Sequence, residues 1–229
     1  EIGEILHSAW DDGGNILIPA FAVGRSQELL YQFAKHFEDW GLSRWRIFLD
    51  SPMASKVVGV YGNNAQLFDS EAQQIFNHRP HPFHLPNLNF TSDVEDSKAI
   101  NRHKGGNIII AGSGMCNGGR IRHHLRHNLG NHRNHVLFVG YQSVGTLGRL
   151  LVDGLKEVKL FGDEIRVKAQ MHTIGGLSAH TDQNGLLAWY GAFKGHPRVA
   201  LVHGEDDARK AFAAVLKDTF NVEARIPGY

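Results

Sequence analysis

The sequence predicts an α/β fold in which a largely parallel β-sheet is flanked by helices. Short apolar runs alternate with amphipathic stretches along most of the chain, and strand–helix–strand units produce this order. Several apolar runs, such as NIIIA at residues 107–111, contain almost no polar side chain and indicate buried strands. Turns rich in glycine and polar residues follow the runs, at residues 111–115, 139–142 and 202–206. Because open parallel sheets bind ligands beyond the carboxyl ends of their strands, we expect functional residues in these turns and in the turn at 22–26.

In the first half of the chain, apolar spacing and capping residues define each element. The first residues have helical spacing in their apolar positions, Ile2, Ile5, Leu6 and Trp10. Ser26 is expected to cap the next helix, which Gly41 ends, and Asp50 or Ser51 to cap the helix after it. The expected elements are a helix at 2–10, a strand at 15–20, a helix at 26–40, a strand at 46–50, a helix at 51–69 and an irregular Pro- and His-rich connection at 77–87.

In the second half, the Gly-Asp pair at 162–163 predicts a β-hairpin between two β runs at 158–161 and 164–170. The elements around the hairpin continue the alternation of apolar strand and amphipathic helix. They are helices at 93–103, 120–129, 145–153, 182–193 and 207–220, and strands at 107–111, 135–139, 198–202 and 222–226.

The composition is that of an ordinary globular protein and excludes several classes. The 229 residues include 24 Lys and Arg against 23 Asp and Glu, a formal net charge of +1, so bulk electrostatics alone would not hold the chain to nucleic acid or membrane. No apolar run approaches the roughly 18 residues of a membrane span, and we expect no membrane partner. A single cysteine excludes internal disulfides and suits a cytoplasmic location. The 15 histidines are the unusual feature, because histidine ligates metals and titrates near neutral pH.

Familiar nucleotide and hydrolase motifs are absent or incomplete. No Gly-Lys pair exists, which excludes a P-loop, and Ala111 stands where a GxSxG motif around Ser113 needs its first glycine. A dinucleotide fingerprint that starts at Gly112 meets Asn117 in place of its third glycine. The turn at 112–119 could still bind an anion through free backbone N–H groups, or it could be only a tight connection, and we weigh the two equally.

The helix at 120–129 and the residues after it are rich in basic side chains. They are Arg120, Arg122, His123, His124, Arg126, His127, His132, Arg133 and His135. This set could follow a phosphate backbone. We favour instead a solvated helix face around the core positions Ile121, Leu125 and Leu129, because exposed basic faces are common and the chain is nearly neutral.

Most histidines lack ligand spacing, and the chain has neither an HxH pair nor an HExxH motif. Seven of them are expected to be ordinary surface or partly buried histidines without a catalytic role: His7, His36, His78, His81, His84, His103 and His196. Two others stand at turns suited to chemistry: His180 in GGLSAHTD, just before a helix, and His203 in LVHGED, directly after an apolar strand. On residue chemistry alone, a capping or hydrogen-bonded structural histidine remains the safer interpretation of either.

Six motifs occur in order along nearly the whole chain. They are ILIPAFAVGRSQELL at 16–30, FLDSPMA at 48–54, IIIAGSGMCNGGRI at 108–121, VLFVGYQSVGTLGR at 136–149, GLSAHTD at 176–182 and ALVHGED at 200–206. Together they resemble the β-CASP branch of the metallo-β-lactamase superfamily, which includes RNA-processing ribonucleases. The resemblance implies an αββα metallo-β-lactamase fold split by an inserted β-CASP domain. Residues 1–172 would form the β-CASP domain and residues 173–229 the C-terminal return into the metallo-β-lactamase domain, with the active site in the cleft between the two.

The resemblance also assigns roles to the two histidines. His180 matches a family histidine that lies beside the scissile phosphate and acts as general acid, whereas His203 matches a zinc ligand. Relatives that act on RNA carry histidine at the second of these positions, so the resemblance implies RNA as substrate and partner. Two zinc ions in the parent protein would activate the attacking water. Whether the chain forms a homo-oligomer is left open.

Turn chemistry indicates further residues that could hold the RNA phosphates next to the cleaved bond. They are Arg25, Ser26, Ser113, Gly114, Met115 and Ser178. We expect Asp50 and Asp182 to cap helices rather than to take part in chemistry. Glu205 or Asp206 could orient His203.

The chain lacks the part of the family pattern that holds most of the zinc. The HxHxDH motif and the other ligands lie upstream in the family, and the chain opens at Glu1 within a helical pattern. One ligand does not hold a catalytic zinc, which normally has three protein ligands. We therefore expect this chain to be an inactive portion, without stably bound zinc, of a zinc-dependent ribonuclease. The alternatives are a non-catalytic RNA-binding or scaffolding relative and a hydrolase of DNA or of another phosphoester.

Overall fold

The computed structural model of the protein describes residues 1–76, 83, 85–178 and 180–228. The predicted connection at 77–87 lies mostly outside these residues, as do three of its histidines, His78, His81 and His84. The described residues divide into two compact units, Glu1–Leu177 and Ser178–Tyr229.

Strands and helices alternate along the first unit. Its helices are α1 (Ile2–Asp11), α2 (Arg25–Lys35), α3 (Pro52–Asn63), α4 (Ser70–Phe76), α5 (Val94–Ile100), α6 (Ile121–Asn128) and α7 (Leu147–Val152). Its strands are β1 (Ile16–Pro19), β2 (Arg46–Asp50), β3 (Leu88–Phe90), β4 (Asn107–Ala111), β5 (His135–Phe138), β6 (Glu157–Leu160), β7 (Asp163–Arg166) and β8 (Gln170–Thr173). Short 3-10 helices occupy Leu42–Arg44 and Ala65–Leu67. No helix in the described part of the chain is long and apolar enough to cross a membrane.

Within the described residues, six strands form one sheet in the order β3-β2-β4-β1-β5-β8. Every neighbouring pair in this sheet is parallel. The predicted α/β fold with a parallel sheet flanked by helices is therefore confirmed. A parallel sheet brings the carboxyl ends of all its strands to one edge, and this edge carries the candidate site.

The sheet is buried on both faces, which explains why its central strands are almost wholly apolar. Ile16 and Ile18 of β1 belong to a core cluster that includes side chains of α1, α2 and α3. Leu17, which points to the opposite face, belongs to a second cluster with side chains of α6, α7 and the β6–β7 hairpin. A smaller cluster joins Phe48 and Ile109 to Ile100 of α5.

Buried asparagines join the amino ends of the central strands. Asn15, directly before β1, donates from Nδ2 to Oδ1 of Asn128 at 3.0 Å. Its own Oδ1 accepts from Nδ2 of Asn107 at 2.6 Å and from the Asn107 backbone N–H at 3.3 Å. The backbone N–H of Asn15 donates to Oδ1 of Asn134 at 2.9 Å. Because all four side chains are buried, these bonds satisfy polar groups that water cannot reach and fix β1 against its neighbours.

Strands β3 and β8 are not predicted by the sequence pattern. The run predicted as one strand at 164–170 divides in two, because β7 pairs antiparallel with β6 whereas Gln170 begins β8. Gln170 lies opposite His135 of β5 in the main sheet. The predicted hairpin is present, but its second strand is shorter than expected.

Several helix boundaries differ from the expectation, and Gly41 does not end α2, because that helix ends at Lys35. Ser26 does not cap α2, because the helix begins after Gly24, whose N–H donates to Oε1 of Gln27 at 2.8 Å. The helix predicted over 51–69 ends at Asn63, and a 3-10 turn follows it before α4.

The second unit contains helices α8 (Gln183–Gly191) and α9 (Asp206–Phe220). The Tyr190 ring of α8 packs edge-on against Phe220 of α9, with ring centroids 5.2 Å apart. The strands predicted at 198–202 and 222–226 are reduced to one parallel bridge, between Ala200 and Arg225. A pair of short strands without a third strand is marginal, which accounts for the difference.

Replacing Asn15 with alanine is expected to lower the free energy of unfolding by about 2 kcal/mol, because the backbone N–H of Asn107 would lose a buried acceptor. Urea denaturation followed by circular dichroism measures the change. Asn63→Ala, at an exposed position, is the matched control and should change the free energy by less than about 0.5 kcal/mol. Equal stability of the two variants would contradict a structural role for the asparagine cluster.

Candidate functional site

A pocket of about 580 Å³ opens at the carboxyl ends of β1, β2 and β4. Its lining residues all come from the segments that follow these strands or from the last strand residue: Phe21, Ala22, Val23, Asp50, Ser51, Pro52, Met53, Gly112, Ser113, Gly119 and Arg120. Ligand-binding residues of parallel sheets occupy this edge. Two of the turns that the sequence singles out, at 22–26 and 111–115, thus contribute to the pocket.

The Gly-rich loop that forms one wall folds back on itself. The N–H of Ser113 donates to the carbonyl of Gly118 at 3.1 Å, and the Gly118 N–H donates to Ser113 Oγ at 3.2 Å. Gly119 has a φ of 73°, and a Cβ there would lie 2.3 Å from the carbonyl oxygen of Gly112. Only glycine fits this close approach of backbone to backbone.

The turn at 139–142 and helix α7 both form hydrogen bonds to the backbone of the same loop. Gln142, which is buried, donates from Nε2 to the carbonyl of Gly114 at 3.0 Å. The N–H of Gly148 donates to the carbonyl of Met115 at 3.1 Å. In the part of the chain that the structure describes, no acceptor faces the N–H groups of Gly114 and Met115. These two amides therefore fit the expected anion-binding role, whereas the amide of Ser113 is occupied.

Asp50 ends β2 beneath the pocket, and its carboxylate is completely buried. Oδ1 accepts from Thr91 Oγ1 at 2.6 Å and from Arg120 Nη1 at 2.7 Å. Oδ2 accepts from Ser97 Oγ at 2.6 Å and from His124 Nε2 at 2.6 Å. Four donors thus surround one carboxylate, which is the usual condition for burying a charge.

The donors keep Asp50 ionised. Burial by itself would raise the pKa of this carboxyl, but hydrogen bonds from His124, Ser97 and Thr91 outweigh burial and lower the pKa to about 2. Hydrogen bonds to the charged form and a nearby positive group both act in this direction.

Two expectations about this region are wrong. Asp50 does not cap α3, because Ser51 accepts from the N–H of Ala54 at 3.2 Å and the Asp50 side chain points to the buried donors. His124 does not lie on a solvated face, because its ring is buried against Asp50 and Asn101. The neighbouring core positions are buried as expected, Ile121, Leu125 and Leu129. Two signs of this cluster were available in the sequence: an aspartate directly after the apolar residues of β2, and the position of His124 on the same helix face as Ile121 and Leu125.

Arg120 lies between the cluster and the pocket. Its Nη1 also donates to the carbonyl of Thr91 at 3.2 Å, and its Nη2 donates to the carbonyl of Ser92 at 3.0 Å. The side chain remains 20% exposed. The guanidinium is therefore fixed in orientation, and the Arg120 side chain is one of those that line the pocket.

The other first-unit candidates differ in accessibility. Arg25 is the first residue of α2 and is partly exposed. Ser26 is buried, and its hydroxyl donates to the carbonyl of Phe21 at 2.8 Å. Ser26 thus holds the turn that carries Phe21 into the pocket.

His180 lies in the second unit, in an exposed turn before α8. Its backbone N–H donates to Oγ of Ser178 at 3.2 Å, and Ser178 is also exposed. Asp182 caps α8 by accepting from the N–H of Gly185 at 2.8 Å, which confirms the expected capping role.

His203 lies in the second unit as well, in an exposed bend before α9. Gly204 follows it with a φ of 103° and allows the sharp change of direction. No group of three or more His, Cys, Asp or Glu side chains within the described ranges could hold a metal ion. Since a catalytic zinc normally has three protein ligands, these residues do not form a zinc site by themselves.

Two further histidines are paired at the opposite, amino edge of the sheet. His135 Nδ1 lies 2.9 Å from Nε2 of His172, and His135 Nε2 lies 3.0 Å from Oδ2 of Asp12. Burial lowers the pKa of both imidazoles, and the Asp12 carboxylate only partly opposes this at His135. They hold the ends of α1, β5 and β8 together, away from the pocket.

Comparisons with known proteins match both units. Residues 26–151 match the Beta-Casp domain family, and residues 164–227 match a family described as Zn-dependent metallo-hydrolase RNA specificity domain. A ribonuclease of Thermus thermophilus is 43% identical over 216 residues, which cover 94% of this chain and 49% of that protein. Transcription termination factor FttA of Methanocaldococcus jannaschii is 28% identical over 234 residues, covering 99% of this chain and 37% of the relative. The chain thus spans about half the length of the first relative and about a third of the second.

Asp50→Asn should lower the free energy of unfolding by about 3 kcal/mol at pH 7, because Arg120 would lose its buried counter-charge and His124 its carboxylate acceptor. A carboxylate with a depressed pKa stabilises the fold above about pH 4, and this contribution disappears as the pH falls through about 2. Urea denaturation should therefore show the stability gap between wild type and variant narrowing by about 2 kcal/mol from pH 4 to pH 2. The control is Asp153→Asn, at an exposed ion pair with Arg149. A gap that does not change with pH would contradict this account.

Gly119→Ala should destabilise the protein by about 2 kcal/mol or more, because of the positive φ and the collision with the Gly112 carbonyl. Gly118→Ala is the matched control one residue away, since a Cβ there meets nothing within 4 Å. Thermal unfolding of the two variants compares them directly. Equal melting temperatures would show that the loop tolerates a side chain at 119.

Proposed function

Since the chain belongs to the β-CASP family of the metallo-β-lactamase superfamily, we propose that it is the C-terminal portion of a zinc-dependent ribonuclease that hydrolyses RNA phosphodiester bonds. The observation that carries the proposal is the match of residues 164–227 to an RNA specificity domain of zinc-dependent metallo-hydrolases. That segment contains both His180 and His203. The ribonuclease of Thermus thermophilus supports the same activity by its name and its 43% identity.

In this proposal residues 1–172 are the β-CASP domain and residues 173–229 belong to the metallo-β-lactamase domain. The Beta-Casp match at 26–151 and the compact unit that ends at Leu177 support the division. The second family match begins at residue 164, inside the first compact unit, so the family boundary and the packing boundary differ by several residues.

His180 is the proposed general acid. Its side chain is exposed, and the bond from its N–H to Ser178 together with the Asp182 cap holds the turn that presents it. A positioned imidazolium next to the cleaved bond would protonate the leaving oxygen of the RNA. Ser178, the amides of Gly114 and Met115, Ser113 and Arg25 would bind adjacent phosphates, while buried Ser26 supports the turn.

His203 is the proposed zinc ligand contributed by this chain. The described residues do not complete a zinc site, so the remaining ligands would come from the part of the relatives that this chain does not span. Bound zinc would supply a hydroxide nucleophile at neutral pH. The chain by itself is accordingly proposed to lack stable zinc and nuclease activity, and to act in the cytoplasm as part of its parent.

A non-catalytic RNA-binding or scaffolding role is the second candidate. The match of residues 164–227 to an RNA specificity domain supports this role too, because recognition of RNA does not itself require cleavage. The two candidates share RNA as partner and differ in whether phosphodiester bonds are cleaved.

Cleavage of labelled RNA by the zinc-loaded parent protein tests the catalytic proposal. His180→Ala should slow cleavage by about 100-fold or more while the zinc content is unchanged, because only proton transfer is lost. His203→Ala should lower both cleavage and zinc content, measured by atomic absorption. The control is His7→Ala, at an exposed position of α1, which should behave as wild type.

Normal cleavage by both variants would refute the assigned roles, and a wild-type parent that binds RNA without cutting it would favour the scaffolding role. DNA of the same sequence, assayed in parallel, separates a ribonuclease from a nuclease of broader substrate range. Near two equivalents of zinc on the 229-residue chain alone would refute its proposed inactivity.

A further inference from the structure

We propose that the pocket at the carboxyl ends of β1, β2 and β4 binds one nucleotide of single-stranded RNA, with the base against Phe21 and Met53 and a phosphate at Arg120. This inference rests on the proposed function for its ligand class. It adds a binding site and three residues that neither the motifs nor the family matches assign.

The rim of the pocket exposes large apolar side chains. Phe21 is 50% exposed, Val23 60% and Met53 62%, and all three line the same concavity. Exposed apolar groups gathered around a cavity are typical of ligand sites, because a soluble surface seldom leaves them uncovered. The flat faces of a nucleobase stack on such side chains, an aromatic ring above all.

The Phe21 ring is held in place from behind. A Cβ on Gly114 would come within 2.9 Å of the ring, so the ring lies directly against the backbone of the Gly-rich loop. The hydroxyl of Ser26 fixes the Phe21 carbonyl at 2.8 Å. A ring fixed on one side and half exposed is a stacking surface that needs little ordering when a base binds.

Arg120 supplies hydrogen-bond donors beside the apolar rim. Its bonds to Asp50, Thr91 and Ser92 use both protons of Nη1 and one of Nη2. Among the described residues no acceptor faces its Nε–H or its remaining Nη2–H. Two free N–H groups on one oriented guanidinium match the oxygens of a phosphate.

The pocket does not repel an anion. Of its lining residues only Asp50 is acidic, and its carboxylate is completely buried and bonded to Arg120 and His124. The volume of about 580 Å³ lies in the range of small-ligand sites and suits one nucleotide better than a helix or strand of a protein partner. The Asp50 carboxylate and the Arg120 guanidinium offset each other in charge, and apolar walls beside the unused N–H donors of Arg120 fit a base and its phosphate.

The test is binding of the 229-residue chain to a fluorescein-labelled hexauridylate, followed by fluorescence anisotropy. Phe21→Ala should weaken binding about tenfold, because the stacked base loses its ring. Leu67→Ala, an exposed apolar residue that does not line the pocket, is the control and should bind as wild type. Wild type should also bind an abasic hexamer, which has the same phosphates, about tenfold more weakly than hexauridylate.

Arg120→Gln tests the phosphate contact separately. The slope of log Kd against log salt concentration should fall by about 0.7, the value for one phosphate of a single strand, whereas Phe21→Ala should leave the slope unchanged. An unfolding curve is recorded for each variant. If Arg120→Gln does not fold, Phe21→Ala and the abasic hexamer still decide the proposal.

Each outcome is informative. Equal binding by wild type and Phe21→Ala, or equal binding of the two hexamers, would overturn the pocket while RNA binding and the proposed function stand. A wild-type chain that binds no RNA would overturn both the pocket and the RNA-binding role proposed for this chain. Uridine monophosphate that competes as strongly as hexauridylate would identify a site for free nucleotides and overturn the assignment to RNA.

Discussion

The buried carboxylate of Asp50 is the interaction on which the carboxyl edge of the sheet depends. It accepts hydrogen bonds from three separate segments: the residue after β3, helix α5 and the start of α6. Without these donors, a buried charge would be unfavourable by several kcal/mol. The segments must therefore surround the end of β2 for the carboxylate to stay ionised. The position of the pocket wall around Arg120 follows from this electrostatic requirement more than from apolar packing at the rim.

The central part of the fold could be predicted from the sequence because its physical cause is local. Strands β1, β4 and β5 are buried at every residue, so they appear as apolar runs, with a polar residue only at the start of β4 and of β5. Strands β3 and β8 lie at the two edges of the sheet and are buried far less. Their sequences, LNF and QMHT, mix polar and apolar residues, so no local pattern predicts them as strands. They form strands because they pair with a neighbouring strand.

The candidate site, too, has a part that could be predicted from the sequence and a part that could not. The turns at 22–26 and 111–115 could be predicted, since the carboxyl edge of any parallel sheet is where ligands bind. The pairing of Asp50 with His124 could not, because the two residues are 74 positions apart and meet only once β2 and α6 are in place. The helical spacing from Ile121 and Leu125 places His124 on the buried face of α6, but it does not indicate which residue His124 meets there. His180 and His203 stand at exposed turns suited to chemistry, but only the family motifs distinguish them from structural histidines.

A buried ionic cluster is a poor device for stability alone, because well-packed apolar residues of similar volume are often as stabilising or more so. Its distinct effect here is geometric. Asp50 and the carbonyls of Thr91 and Ser92 hold one guanidinium in a single orientation, while a fifth of the Arg120 side chain stays open to solvent. An apolar cluster could fill the same space, but it could not direct N–H groups toward a ligand. The cluster is therefore best understood as the support of a binding residue, which links the most deeply buried charge in this edge of the sheet to the pocket above it.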